Sequence, residues 1–246
     1  MIDHKVIING IEVQAGYTEA NVSEIFLPLL SDLTDLHKKK GKRILTMLAA
    51  PPGAGKSTLL SFLERLSGEH SETEEIQTIG MDGFHRRQEY LISHNTMRDG
   101  KEIPMVNVKG SPETFDLEKL TDSIRRISEG EVFGWPMYDR HLHNPVEDAI
   151  QVSHDIVILE GNYLLLDLKG WRDLSKYADY TILIRSDEHI LKERLIERRI
   201  LSGHPAEEAE SFVEYSDMYN ARLCLEHSKQ ADLTLQLNPD NSYSRV

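Results

Sequence analysis

The sequence predicts an α/β fold, a three-layer αβα sandwich around a mainly parallel central sheet. Three observations point to it. An apolar run from Ile44 to Ala50 stops at Pro51-Pro52 and passes through Gly53-Ala54-Gly55-Lys56-Ser57-Thr58 into a helical pattern. Two further apolar runs, DIVILEG ending near Gly161 and YTILIR ending at Arg185, have no polar alternation, as expected of strands covered on both faces. Helical periodicity fills the spaces between these runs, and 246 residues suffice for one such domain.

The strand, glycine-rich loop and helix around Lys56 carry the most chemistry. Glycines there let successive backbone N–H groups, from Gly53 through Ala54, Gly55, Lys56 and Ser57 to Thr58, close around phosphate oxygens. Lys56 would reach the β- and γ-phosphates of ATP, and the Ser57 hydroxyl would ligate Mg²⁺. The pattern G-x-x-x-x-G-K-[ST] is met except at its first position, where Ala50 replaces glycine. A distorted approach to the loop is expected rather than a lost site. The competing reading is a turn ahead of an ordinary helix.

Net charge is −13, from 28 basic and 41 acidic residues, which argues against a nucleic-acid partner. One cysteine, Cys224, excludes an intrachain disulfide and fits a reducing compartment. The opening MIDHKVIINGIEVQ carries charges inside any apolar core, so no signal peptide is expected, and no apolar run is long enough for a membrane span. A soluble cytoplasmic protein without a membrane partner follows as the expectation, with a homodimer left open.

In chain order, residues 1–40 form an N-terminal extension: a β-hairpin turning at Asn9-Gly10, then a helix ending in Lys38-Lys39-Lys40, which should face solvent before Gly41. Residues 41–246 form the catalytic domain. The strand IQTIGM delivers Asp82 to the end of the sheet where α/β proteins bind ligands, so Asp82 is a candidate base for a substrate hydroxyl, and otherwise a cap for the next helix. Residues 98–115 look like a long non-periodic loop, either part of a substrate lid or a linker, and Asp116 caps the helix after it. Residues 130–148 read as a second insertion, crowded by Trp135, Tyr138, Asp139, Arg140, His141 and His143. Tyr138, Arg140 and His141 can hydrogen-bond a substrate, with loop packing as the competitor, and a metal pair at His141 and His143 lacks further ligands. Glu160 ends its strand where kinases of this loop type hold Mg²⁺. Arg194, Arg198 and Arg199 cluster on one helix, either as a functional lid over 194–206 or as surface partners of Glu193 and Glu197.

Taken together, AAPPGAGKST, MDGFHRR, KGSPETFDLEKL, WPMYDRHLHNPVEDA, VILEGNYLLL with Trp171 downstream, and RLIERR resemble the phosphoribulokinase, uridine kinase and bacterial pantothenate kinase group of P-loop kinases. They are also similar to bacterial proteins described as fructose-transport-system or nucleoside kinase-like. The resemblance spans residue 44 to about 237. It implies the P-loop NTPase fold, phosphate and metal roles for Lys56 and Ser57, activation of the acceptor hydroxyl by Asp82, and metal support by Glu160. It further implies an acceptor pocket at Tyr138 and His141 and a lid bearing Arg194, Arg198 and Arg199; His85, three residues after Asp82, is a further candidate for substrate contact. The run Asp82-Gly83-Phe84-His85 departs from the Asp-Phe-Tyr run of uridine kinases, and Arg140 follows the Tyr-Asp pair.

The function expected is ATP- and Mg²⁺-dependent phosphotransfer to an alcohol of a small metabolite, with a sugar ranked slightly ahead of a nucleoside such as uridine or of pantothenate. The alternative is an ATP-hydrolysing switch that regulates a transporter or another partner.

Overall fold

Ile44–Ala49 is buried at every position because helices cover both faces of the sheet it belongs to. The computed structural model describes residues 1–8 and 11–246. The chain opens with an antiparallel pair, β1 (Ile2–Ile8) and β2 (Ile11–Tyr17). The Asn9-Gly10 turn between them lies outside the described residues. One helical run follows, made of α1 (Glu19–Asn21), a π-turn over Val22–Phe26, and α2 (Leu27–Lys40). Then come β3 (Ile44–Ala49), α3 (Lys56–Glu69), β4 (Ile76–Gly80), a 3₁₀ turn over Met81–Phe84, and α4 (Gln88–Ser93). Two small hairpins flank α5 (Leu117–Ser128): β5 (Asn95–Arg98) with β6 (Lys101–Pro104), and β7 (Phe133–Asp139) with β8 (Asn144–Val152). The remainder is β9 (Ile156–Gly161), β10 (Tyr180–Ser186), α6 (Glu188–Leu201), α7 (Ala206–Phe212), a second π-turn over Val213–Asp217, α8 (Met218–His227), β11 (Leu233–Leu237) and β12 (Tyr243–Arg245).

The central sheet has the order β12-β11-β10-β3-β9-β4, parallel throughout except for β12 at its edge. Strand side chains alternate between the two layers. Ile44, Leu48, Ile156 and Ile182 pack with Leu30 and Leu33 of α2 and Leu59 and Leu63 of α3. Leu45, Met47, Val157 and Leu159 pack on the other side with Leu120, Ile124 and Ile127 of α5 and with Trp135 and Trp171. Since β3 connects through α3 to β4, with β9 inserted between, the C-terminal ends of β3, β9 and β4 open into one crevice. Among the described residues no helix is long and apolar enough to cross a membrane.

Four expectations need correction. Lys40 is half-buried and paired with Asp179, whose other oxygen accepts the Leu45 N–H at 2.9 Å, so it ties the helix to the sheet instead of facing solvent. Residues 98–115 are not a structureless loop: they hold part of the β5–β6 hairpin and two 3₁₀ turns. Residues 130–148 are mostly hairpin as well, because β7 pairs with β8 across a bulge between Trp135 and Met137. On α6 Arg194 and Arg199 turn toward other elements, and no ion pair joins Arg194, Arg198 or Arg199 to Glu193 or Glu197 among the described residues.

Candidate active site

The loop after β3 has Gly53 at φ 85° and Gly55 at φ 76°, both left-handed, and α3 starts at Lys56. Space matters as much as φ at Gly53, where a Cβ would sit 3.0 Å from Leu195 Cγ and 3.1 Å from the Leu191 carbonyl oxygen. Only glycine lets the loop pass this close to α6. Ala50, the departure from the motif, is fully buried and donates its N–H to the Gly161 carbonyl at 3.4 Å, joining the loop's approach to the end of β9.

Glu160 receives the two polar side chains of the loop. The Ser57 hydroxyl donates to Glu160 Oε1 at 2.6 Å, and Lys56 Nζ lies 3.9 Å from Oε2. Burial pushes the Glu160 carboxyl up from its ordinary 4.5 and the Asp82 charge adds to this, against the pull of Lys56 and of the Ser57 hydrogen bond. Asp82 itself is exposed, on the 3₁₀ turn that follows β4. A hard divalent cation suits this donor set of hydroxyl and carboxylate oxygens, because its charge would relieve the repulsion between the two acids. Among the described residues no cluster of three or more His, Cys, Asp or Glu side chains is gathered as a metal site, and His141 and His143 lie in an exposed turn.

The turn bearing Asp82 is held from two sides. Its carbonyl accepts the His85 backbone N–H at 3.2 Å and His85 Nδ1–H at 2.8 Å, which leaves Nε2 as the free imidazole nitrogen. Burial lowers the His85 pKa, and the ring lies 4.0 Å from Phe115 and 5.1 Å from Tyr138. From the other side β7 presses on the turn: Trp135 Nε1 donates to the Gly80 carbonyl at 2.8 Å, and a Cβ on Gly83 would lie 2.0 Å from the Pro136 carbonyl oxygen. Gly83 is therefore the departure that lets β7 lie against the Asp82 turn. Tyr138, on the same strand, has its phenol pushed up to about 12, chiefly by burial, with Arg140 opposing and Asp82 adding. Among the described residues His141 is held through its backbone, which donates to Asp139 Oδ1 at 2.8 Å.

The three arginines of α6 differ in their surroundings. Arg194 donates to the Gly53 carbonyl at 3.2 Å and to Asn241, so it braces the phosphate loop from behind. Arg199 stacks over Phe212 at 3.6 Å. Arg198 is exposed, and desolvation by the surrounding protein lowers its pKa; Asp217 and Asp82 oppose that shift while Arg140 and Arg199 add to it. The Asp82 charge is among those that act on it. Two residues of this region were absent from the candidate set. Asp217, pushed up by burial and faced by Arg198, Arg199 and Arg140, has a buried Oδ2 without a hydrogen-bond partner among the described residues. Lys109 bridges Gln88 Oε1 at 2.8 Å and the His143 carbonyl at 3.2 Å, 4.8 Å from the Tyr138 ring centre. Ser57, Asp82, Tyr138 and Glu160 line one cavity of about 290 Å³.

The sequence profile of the phosphoribulokinase / uridine kinase family matches residues 45–244. The chain belongs to that family. It is 40% identical to the uncharacterised protein YggC of Escherichia coli over 96% of both chains. It is 31% identical to a Schizosaccharomyces pombe protein provisionally named a uridine kinase, over 80% of this chain and 85% of that one. Among solved structures, one from Silicibacter, provisionally described as a fructose transport system kinase, superposes with a TM-score of 0.71 at 30% identity, covering 83% of this chain and 98% of that one. A P-loop kinase fold and membership of a small-molecule kinase family are thereby established.

Proposed function

We propose that the protein transfers the γ-phosphoryl group of ATP, with Mg²⁺, to a hydroxyl of a small metabolite. The observation that carries this reading is the meeting of Ser57 and Glu160 with Asp82 around a single cavity, with Lys56 3.9 Å from the same Glu160 carboxylate. The backbone of residues 53–58 and Lys56 hold the triphosphate. Ser57 and Glu160 would hold Mg²⁺, which when bound neutralises charge on the β- and γ-phosphates. Asp82 takes the proton of the acceptor hydroxyl as that oxygen bonds to the γ-phosphorus. The bond from phosphorus to the bridging oxygen of ADP breaks, giving ADP and a phosphate monoester. Arg198 neutralises charge on the transferring group. The relatives carry names that point to different acceptors, uridine in one and a fructose system in another, and what they share is an alcohol.

The test is ADP release with ATP and Mg²⁺ across sugars, nucleosides and pantothenate. At least one acceptor is expected to raise turnover, Lys56→Ala to remove it, and Asp82→Asn to lower it about 10²–10⁴-fold with ATP binding retained. Slow hydrolysis indifferent to every acceptor would replace this reading with that of an ATP-driven switch.

A further inference from the structure

The family profile starts at Leu45, so the N-terminal hairpin is an addition to the part of the chain that the family shares. It is fastened to the catalytic machinery all the same. Along β1, side chains alternate between faces, and Ile2, His4, Val6 and Ile8 share one. That face lies on α3, the helix that begins at Lys56: His4 Nε2 is 3.1 Å from Ser61 Oγ, and the His4 ring meets Phe62 edge-on at 5.5 Å. Tyr17 of β2 stacks on the same Phe62 at 4.3 Å. The base of the hairpin is thus clamped to the helix that carries the phosphate loop.

The outer end of β1 reaches the cavity already described. Val6, Ile7 and Ile8 line it together with Ser57, Asp82 and Glu160, and Leu60, Met137 and Ile150 continue the apolar surface. Ile7 and Met137 are large apolar side chains left 70% and 49% exposed. The lining of this space combines a carboxylate for a hydroxyl proton with aliphatic walls. A bare polyol placed there would turn hydroxyls toward side chains that cannot hydrogen-bond them, which is unfavourable.

We infer that the hairpin is a specificity element whose Val6, Ile7 and Ile8 select an alcohol bearing an aliphatic or aromatic group beside the reacting hydroxyl, in preference to a bare sugar. This rests on the phosphotransfer reading above and reverses the slight lead given to sugars. Val6 and Ile8 act by contact with the apolar part of the acceptor, and Asp82 acts on its hydroxyl.

The experiment compares kcat/KM for ribose, methyl β-riboside, phenyl β-riboside and uridine, with fructose as a second bare sugar, using the full chain with ATP and Mg²⁺. In the natural protein kcat/KM should rise at least about 10-fold from ribose to phenyl riboside. The Val6→Asn/Ile8→Asn variant should flatten that rise to within about 2-fold through acceptor KM, with KM for ATP unchanged, and Val6→Ile/Ile8→Leu should keep it. Ile7→Asn changes a side chain that is already exposed, so folding is spared, and it should flatten the rise partly. Equal or better turnover of ribose or fructose, or an unaltered rise in the Asn variants, would overturn the inference while leaving phosphotransfer standing. No acceptor-dependent ADP release at all, with ATP still bound, would remove both readings.

Discussion

The two sides of the cleft hold their functional groups by different means. On the nucleotide side, Lys56 and Ser57 sit at the start of a 14-residue helix, meet Glu160 on the adjoining strand, and lie beneath Gly53, which is packed against α6 and braced by Arg194. On the acceptor side, Asp82, Tyr138 and Arg140 ride on a short turn and a two-stranded hairpin laid against one another, with the Arg198 charge acting on the same group of residues. One side is core structure with chemistry at its end. The other is an assembly of small pieces, held to one another by packing and side-chain hydrogen bonds outside the central sheet. A family can change acceptor by altering such pieces without disturbing the sheet that binds nucleotide.

The largest expected effect separates two arginines only one helical turn apart. Arg198→Ala should lower kcat about 10³-fold or more with little change in ATP affinity, as for loss of a transition-state arginine. Arg194→Ala should mainly weaken ATP binding, because it braces the loop. Steady-state kinetics showing the reverse pattern would move Arg194 to the acceptor side. Next comes Gly83→Ala, whose methyl would enter the Pro136 carbonyl. A loss of about 1–3 kcal/mol in denaturant unfolding is expected, with kcat falling more than ATP affinity. Equal damage to both would show that the two sides are mechanically one. The smallest effect is in pH. Holding a cation requires the Glu160 carboxylate, and burial favours its neutral form, so the Mg²⁺ requirement should ease as pH rises through a value above 4.5. Glu160→Gln should need more Mg²⁺ at every pH and lose the part of the dependence that belongs to this residue, as read from half-saturating Mg²⁺ at fixed saturating ATP.

The same division decides how much was legible in the sequence. The nucleotide side is local: an apolar run, two glycines and Lys56-Ser57 lie within twenty residues, and their order alone specifies strand, loop and helix. The acceptor side depends on pairings that leave weak local traces. β7 contains Pro136 and a bulge, and its turn to β8 places the non-glycine His143 at φ 53°, so neither alternation nor a familiar turn pair marks the hairpin. The β5–β6 hairpin did leave a trace, Asp99-Gly100 with φ values of 52° and 75°, a two-residue turn signal inside a stretch otherwise read as loop. Asp217 had none, because its relation to Arg198 and Arg140 arises only when the fold brings the second π-turn near residues distant in sequence.

Trp135 and Trp171 are the two tryptophans of the chain, and both are buried in the layer beneath the acceptor side. Trp135 donates its indole proton to Gly80, two positions before Asp82, and Trp171 lies 5.9 Å from Phe115, which itself touches His85. The protein's tryptophan emission therefore originates entirely from the acceptor half, and the layer that contains α3 and the hairpin contributes only tyrosine signal, from Tyr17 and Tyr243 among others.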